Sequence, residues 1–198
     1  MSNDPRSVST ERMFLAIPIE DRLRLRLQEL QEISLETLRD HGVGNVRPEN
    51  LRNSHITIRF LGDVHESASL IEALNGQTLQ AKAFNYCINE IGVFDNPRKA
   101  RVLWAGVDQP DNFQMLRSEM DSLLKSLGYE EERKPYKPHL TLARFREPQD
   151  IRECFTELTQ LTDVCSIERY EANEVVLYSS KLSPQGATHT KRALLKLS

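Results

Sequence analysis

A chain of 198 residues is long enough for one domain, or for two small lobes that share a core. Its 39% apolar and 28% charged content are those of an ordinary globular protein. A formal net charge of −3 argues against a general binder of duplex DNA, which needs a basic face to displace counterions, but leaves room for a small basic pocket around one phosphate.

The opening stretch "MSNDPRSVST" is polar and has no apolar centre. Residues 1–10 are therefore expected to form a flexible tail rather than a signal peptide or anchor, with residues 11–198 as a single bilobal domain. No apolar run approaches the ~18 residues of a membrane span. The cysteines Cys87, Cys154 and Cys165 are odd in number and match no zinc or redox spacing, which suits a reducing cytoplasm.

"RMFLAIPI" (12–19) reads as a buried strand and "EDRLRLRLQELQEISLETLRD" (20–40) as a helix, with Leu23, Leu27, Leu30 and Leu38 as its buried stripe. A loop leads to a strand containing "HITI" (55–58). The order then recurs. "RVLWAGVD" (101–108) reads as a strand, and Pro110 and Asp111 open a helix whose apolar positions are Phe113, Leu116, Met120, Leu123 and Leu127. Gly128 ends that helix, and a polar loop leads to a strand containing "HLTL" (139–142).

An ungapped offset of 84 carries His55 onto His139, Thr57 onto Thr141, Tyr86 onto Tyr170 and "NEIGVF" (89–94) onto "NEVVLY" (173–178). The upstream strands "MFLAIP" and "VLWAGV" align at an offset of 89. The expected fold class is α+β, with two pseudo-symmetric lobes of mainly antiparallel sheet, helices on the outer faces and a central cleft. Neither a GxGxxG nor a Walker pattern is present.

Alternate side chains of a strand share a face, so His55 sits with Thr57 and His139 with Thr141, while Ile56, Ile58, Leu140 and Leu142 anchor the opposite faces. Across a cleft, two imidazoles supply an acid and a base near neutral pH. Two hydroxyls can hold anionic oxygens. That set suits in-line displacement at phosphorus and calls for no metal. Nothing in the local sequence says which histidine is the acid. His41, His65 and His189 read as surface residues, and no histidine pair has the helical spacing of a zinc site.

Arg59 shares the His55 face if the strand is regular, whereas Arg144 faces the cleft only if its strand bends. Either guanidinium would suit a phosphate. "NPRKAR" (96–101) and Lys137 read first as solvated loop charge and second as a basic rim for a nucleic-acid chain. Tyr136 reads as exposed near His139, where it could stack a base; Phe14 and Phe145 read as core residues first and base-stacking residues second.

The paired His-x-Thr-x motifs resemble the two-histidine phosphoesterase superfamily, and more closely its RNA 2′,3′-cyclic phosphodiesterases, also called 2′-5′ RNA ligases. "RMFLAIPI", "PENL…HITIRFLGDV", "NPRKARVLWAGV", "KPHLTLARFRE" and "EVVLYSSKLSPQGATH" each resemble a stretch of that family, and together they span residues 11–197. The resemblance implies hydrolysis of a 2′,3′-cyclic phosphate to a 2′-phosphate without metal or other cofactor. It implies His55 as proton donor, His139 as proton acceptor, and Thr57, Thr141 and Arg144 on the phosphate. Its implied partners are RNA ends or nucleotides carrying the cyclic phosphate. 2′-5′ ligation at the same site, or nucleotide binding without catalysis, are the alternatives. One departure stands out: Arg52, Asn53 and Ser54 lie between "NL" and His55, where the family usually runs straight into the motif. That departure bears on the rim of the pocket.

Overall fold

The structure, a computed structural model, describes residues 10–65, 67–164, 168–183 and 186–198. Of the stretch expected as a tail only Thr10 is described, as the start of a strand, and Cys165 lies outside the described residues. Cys87 and Cys154 are buried free thiols.

Strand β1 (Thr10–Pro18) carries the buried run Met13–Ile17. Helix α1 (Asp21–Asp40) buries Leu23, Leu27, Leu30 and Leu38 as their spacing predicts. A short β2 (Val46–Pro48) and a 3-10 turn (Leu51–Asn53) precede β3 (His55–His65) and α2 (Ser67–Leu74). Strands β4 (Phe84–Tyr86), β5 (Ile88–Phe94) and β6 (Ala100–Val107) lead to α3 (Pro110–Ser126). Strand β7 (His139–Gln149), α4 (Arg152–Gln160), β8 (Tyr170–Ala172), β9 (Glu174–Ser183) and β10 (Gly186–Lys196) complete the order.

Helix α3 departs from its expected stripe. It buries Phe113, Leu116, Arg117, Met120 and Leu124, while Leu127 is exposed. Arg117 occupies an inward position that an apolar count passes over. Gly128, with φ 88°, ends the helix, and the amide of Tyr129 returns to the Leu124 carbonyl.

The strands form two four-stranded sheets, ordered β10-β9-β1-β3 and β2-β7-β6-β5, and a β4-β8 ribbon. Every pairing between these strands is antiparallel. The α+β architecture read from the sequence is therefore the one observed.

The halves exchange strands. β5 follows α2 yet pairs with β6, and β9 follows α4 yet pairs with β1. The trios β9-β1-β3 and β5-β6-β7 correspond, and Tyr86 faces its counterpart Tyr170 directly in the ribbon. The offset of the upstream strands is 88 rather than 89. Ala16 lies opposite Thr57 and Trp104 opposite Thr141; Phe14 pairs with Tyr178, and Val102 with Phe94. The offset of 89 sets Ala16 on Ala105, one residue out of the structural register.

One continuous apolar core lies beneath both sheets. A small separate cluster of Phe14, Ala16, Val176 and Tyr178 occupies the opposite face of the first sheet. The matching face of the second sheet carries Trp104, whose ring fills the space over Gly92 on β5 that a Cβ would need. Gly92→Ala is expected to cost about 1–3 kcal/mol through overpacking. It should also lower turnover, because Trp104 lies under His139; denaturant titration and steady-state rates check this.

Candidate functional site

Strands β3 and β7 bring His55, Thr57, His139 and Thr141 into one cleft of about 640 Å³ between the two sheets. Arg144 joins them, together with Arg12, Phe14, Arg47, Glu49 and Phe60.

The same irregularity shapes both strands. In β3, Thr57 pairs with Ala16 but Arg59 with Leu15, so Ile58 is an extra residue. In β7, Thr141 pairs with Trp104 but Ala143 with Leu103, so Leu142 is extra. A one-residue bulge reverses the facing of everything after it. Phe60 and Arg144 consequently turn into the cleft, and Arg59 and Ala143 turn towards the core.

Arg59 therefore does not share the His55 face, as a regular strand would have required. It is buried, and bonds Asp121 at 2.8 Å, Glu132 at 3.2 Å and the carbonyls of Phe60 and Glu130. Arg144 lies in the cleft with its Nε 3.0 Å from Glu49.

Each bulge carbonyl is taken up by a side chain from a helix. Arg117 of α3 donates to the Ile58 carbonyl at 2.7 Å, and Gln31 of α1 to that of Leu142 at 2.7 Å. Arg117 also bonds Asp121 at 2.8 Å and Glu132 at 3.1 Å, closing a network with Arg59. Tyr136 belongs here too. It is half-buried beside Arg117 and donates to the Thr57 carbonyl at 3.1 Å, so it lies behind β3 and does not line the cleft.

The two imidazoles are held alike. Nδ1 of His55 is 2.7 Å from the Asn53 carbonyl, and Nδ1 of His139 is 2.8 Å from that of Lys137. A carbonyl only accepts, so Nδ1 carries the proton and Nε2 of the neutral ring is bare. Asn53 belongs to the inserted stretch, which therefore supplies the anchor for His55. Its side-chain amide also reaches the Ala187 carbonyl of β10 at 2.6 Å. The departure from the family pattern ties a third strand to the site.

Aromatic rings lie under both histidines. Phe14 stacks on His55 at 4.6 Å and on Tyr178 at 5.4 Å, while Phe94 meets His139 edge-on at 4.7 Å. Phe145 is core. His189 corrects its reading as a surface residue: it lines the cleft edge-on to His55 at 5.3 Å, with Nδ1 buried and unpartnered. Periodicity gave no sign of it, because β10 is brought to the site by its pairing with β9, far away in the chain from the motifs.

"NPRKAR" and Lys137 form no basic rim at the cleft, in line with their first reading as loop charge. Arg101 pairs with Asp95, and Lys137 pairs with Glu90 over the Trp104 ring. Arg12 and Arg47, which the sequence did not single out, line the cleft instead. His41 and His65 are outside it, bonded to Glu157 and Thr10. Among the described residues no group of three or more His, Cys, Asp or Glu side chains could hold a metal ion.

Burial lowers the pKa of His55 to about 4, opposed by the Asn53 carbonyl and reinforced by His189, His139 and Arg144. Burial lowers His139 as well, against the Lys137 carbonyl and with Arg144 and Lys137. Both rings of the free protein are therefore neutral at pH 7. The unfolded chain then binds the proton first, so this pair makes the fold lose stability as pH falls from about 6.5 towards 4.

Two sheets that each present a His-x-Thr pair to a shared cleft define a phosphoesterase-type site built on acid, base and anion-holding hydroxyls. The family described as the 2′-5′ RNA ligase superfamily matches residues 19–181, and the chain belongs to it. It is 35% identical over 188 residues to an RNA 2′,3′-cyclic phosphodiesterase of Methanothermobacter thermautotrophicus, covering 94% of this chain and 98% of that one. A protein of the same description from Methanocaldococcus jannaschii is 33% identical, over 88% of this chain and 94% of its own. Among solved structures, one from Thermus thermophilus superposes with a TM-score of 0.71 at 21% identity, covering 93% of this chain and 97% of that one. Apo LigT of E. coli superposes at 0.68 and 22% identity, covering 96% and 99%. These two likenesses show the shared fold.

Proposed function

We propose that this chain hydrolyses the 2′,3′-cyclic phosphate of an RNA end or nucleotide to a 2′-phosphate by two-histidine acid–base catalysis. The observation that carries this is the matched pair of histidines, each with Nδ1 tied to the carbonyl two residues earlier and each beside a threonine in one cleft. The curated relatives described as RNA 2′,3′-cyclic phosphodiesterases, similar along nearly the whole chain, support it.

In this reading the phosphate lies between the two strands. The hydroxyls of Thr57 and Thr141 donate to its non-bridging oxygens, and the Arg144 guanidinium adds positive charge. Nε2 of His139 takes a proton from water as it attacks phosphorus, and Nε2 of His55 delivers one to the departing 3′ oxygen. The phosphate's negative charge raises both imidazoles from their lowered values, which allows His55 to be protonated in the complex. The two rings are hydrogen-bonded alike, so the donor and acceptor roles follow the family pattern.

The free enzyme must hold one ring charged and one neutral, and both are depressed. kcat/KM is therefore expected to peak below pH 6.5, and kcat, read in the complex, at higher pH. A kcat/KM optimum above pH 7.5 would contradict the assignment.

Residues 11–198 would act as one bilobal unit and as a monomer in the cytoplasm, without duplex DNA as a partner. Among the described residues no helix is long and apolar enough to cross a membrane. Incubation with 2′,3′-cyclic AMP, followed by identification of the product, tests the activity.

A further inference from the structure

Among the described residues that line the cleft, Glu49 carries the one carboxylate, against the guanidiniums of Arg12, Arg47 and Arg144. A fixed anion weakens the binding of an anionic ligand, and the reaction described above gives Glu49 no part. Its Oε2 lies 3.0 Å from Nε of Arg144, the arginine assigned to the phosphate. Glu49 also relieves the repulsion between Arg47 and Arg144, which stand opposite each other across β2 and β7. That is the plainer role, and an exposed pair of this kind adds little to stability.

The placement of Glu49 is more specific than that role needs. Its backbone is held on both sides: the amide donates to the Leu142 carbonyl at 2.9 Å, and the carbonyl accepts from Gln31 of α1 at 3.0 Å. Leu142 is the extra residue of the β7 bulge, so the step that turns Arg144 into the cleft also holds the carboxylate beside it. The root of the side chain is therefore fixed at the cleft wall and does not withdraw when a ligand arrives. Its charge reaches the other sheet as well, where it opposes the burial that lowers the pKa of His189 on β10.

The two ends of the reaction differ in charge. A 2′,3′-cyclic phosphate is a diester with a single negative charge. Hydrolysis joins the water oxygen to phosphorus, breaks the bond from phosphorus to the 3′ oxygen and moves one water proton to that oxygen. The hydroxyl left on phosphorus has a pKa of about 6, so the monoester product carries about −1.5 to −2 at pH 7. Three guanidiniums alone would hold that product more tightly than the substrate. We propose that Glu49 is the specificity residue that prevents this. Its carboxylate repels the second negative charge, so the cleft accepts the singly charged diester and expels the monoester. This rests on the reading of the cleft as a cyclic phosphodiesterase site.

The test compares wild type with Glu49→Gln, which keeps the size of the side chain and both backbone bonds. Two competitive inhibitors of 2′,3′-cyclic AMP hydrolysis are titrated: adenosine 2′-phosphate and its singly charged methyl ester, adenosine 2′-(methyl phosphate). The assay is run at about pH 7.5, above the second pKa of the monoester. Removing one charge from a partly solvated cleft should lower Ki of the methyl ester by about 3- to 10-fold and Ki of the monoester by about the square of that factor. The ratio of the two Ki values, monoester over ester, should therefore fall by about 3- to 10-fold. Progress curves of the variant should bend earlier as product collects. A Glu49 that only holds Arg144 in place would weaken both inhibitors alike. A ratio that does not fall, whether both inhibitors shift together or neither shifts, overturns the proposal and leaves the hydrolase standing. A wild type that does not hydrolyse 2′,3′-cyclic AMP overturns the hydrolase, and the role of Glu49 with it.

Discussion

His139→Ala is expected to lower kcat on 2′,3′-cyclic AMP by about 10²–10⁴-fold, and His55→Ala by the same order, the usual worth of a positioned acid or base. The loss should appear in kcat more than in KM, because in the proposed mechanism the imidazoles act on protons in flight and the phosphate is left to Thr57, Thr141 and Arg144. The double variant should be scarcely slower than the worse single one, since acid and base act as a unit. Either His is half-buried at the start of its strand, and neither ring makes a side-chain hydrogen bond elsewhere in the core. The fold should therefore tolerate both changes, which a melting curve verifies. Steady-state rates on purified variants decide the matter: a single-histidine variant that keeps most of its activity would sink the scheme.

Arg117→Met should be the most damaging change outside the cleft. The Arg117 side chain is only 6% exposed and lies between Asp121 and Glu132. Removing it leaves two carboxylates with Arg59 alone and strips the Ile58 carbonyl of its donor. Breaking one member of a buried ionic set typically costs about 3–5 kcal/mol. For a chain of this size that corresponds to a fall in Tm of roughly 2–4 °C per kcal/mol. The network also joins β3, which carries His55, to the loop that delivers His139, so surviving protein should turn over more slowly. Urea titration gives the stability; a loss below about 1 kcal/mol would show that the network is not holding the bulge.

The sequence showed the periodic parts plainly. The leucine stripe of α1 and the alternation around each His-x-Thr motif report burial on one face, and burial decides which face a helix or strand presents. What it hid depends on one extra residue. Nothing in "HITIRF" marks Ile58 as a bulge, yet that bulge sends Arg59 into the core and Phe60 into the cleft. The same step in "HLTLAR" brings Arg144 into the cleft. Arg117 was invisible for another reason: a charged residue on an inward helical position reads as an interruption of the stripe, although two carboxylates wait for it. Arg12, Arg47 and His189 reach the site through strand pairings far apart in the chain, which local patterns do not report.

The central claim is acid–base hydrolysis by His55 and His139 with a defined direction of ring opening. Its most direct test is to incubate the purified protein with 2′,3′-cyclic AMP in excess chelator and to separate the products. The account predicts full conversion to adenosine 2′-phosphate at a rate the chelator does not change. Adenosine 3′-phosphate, or no product once the chelator is present, would contradict it.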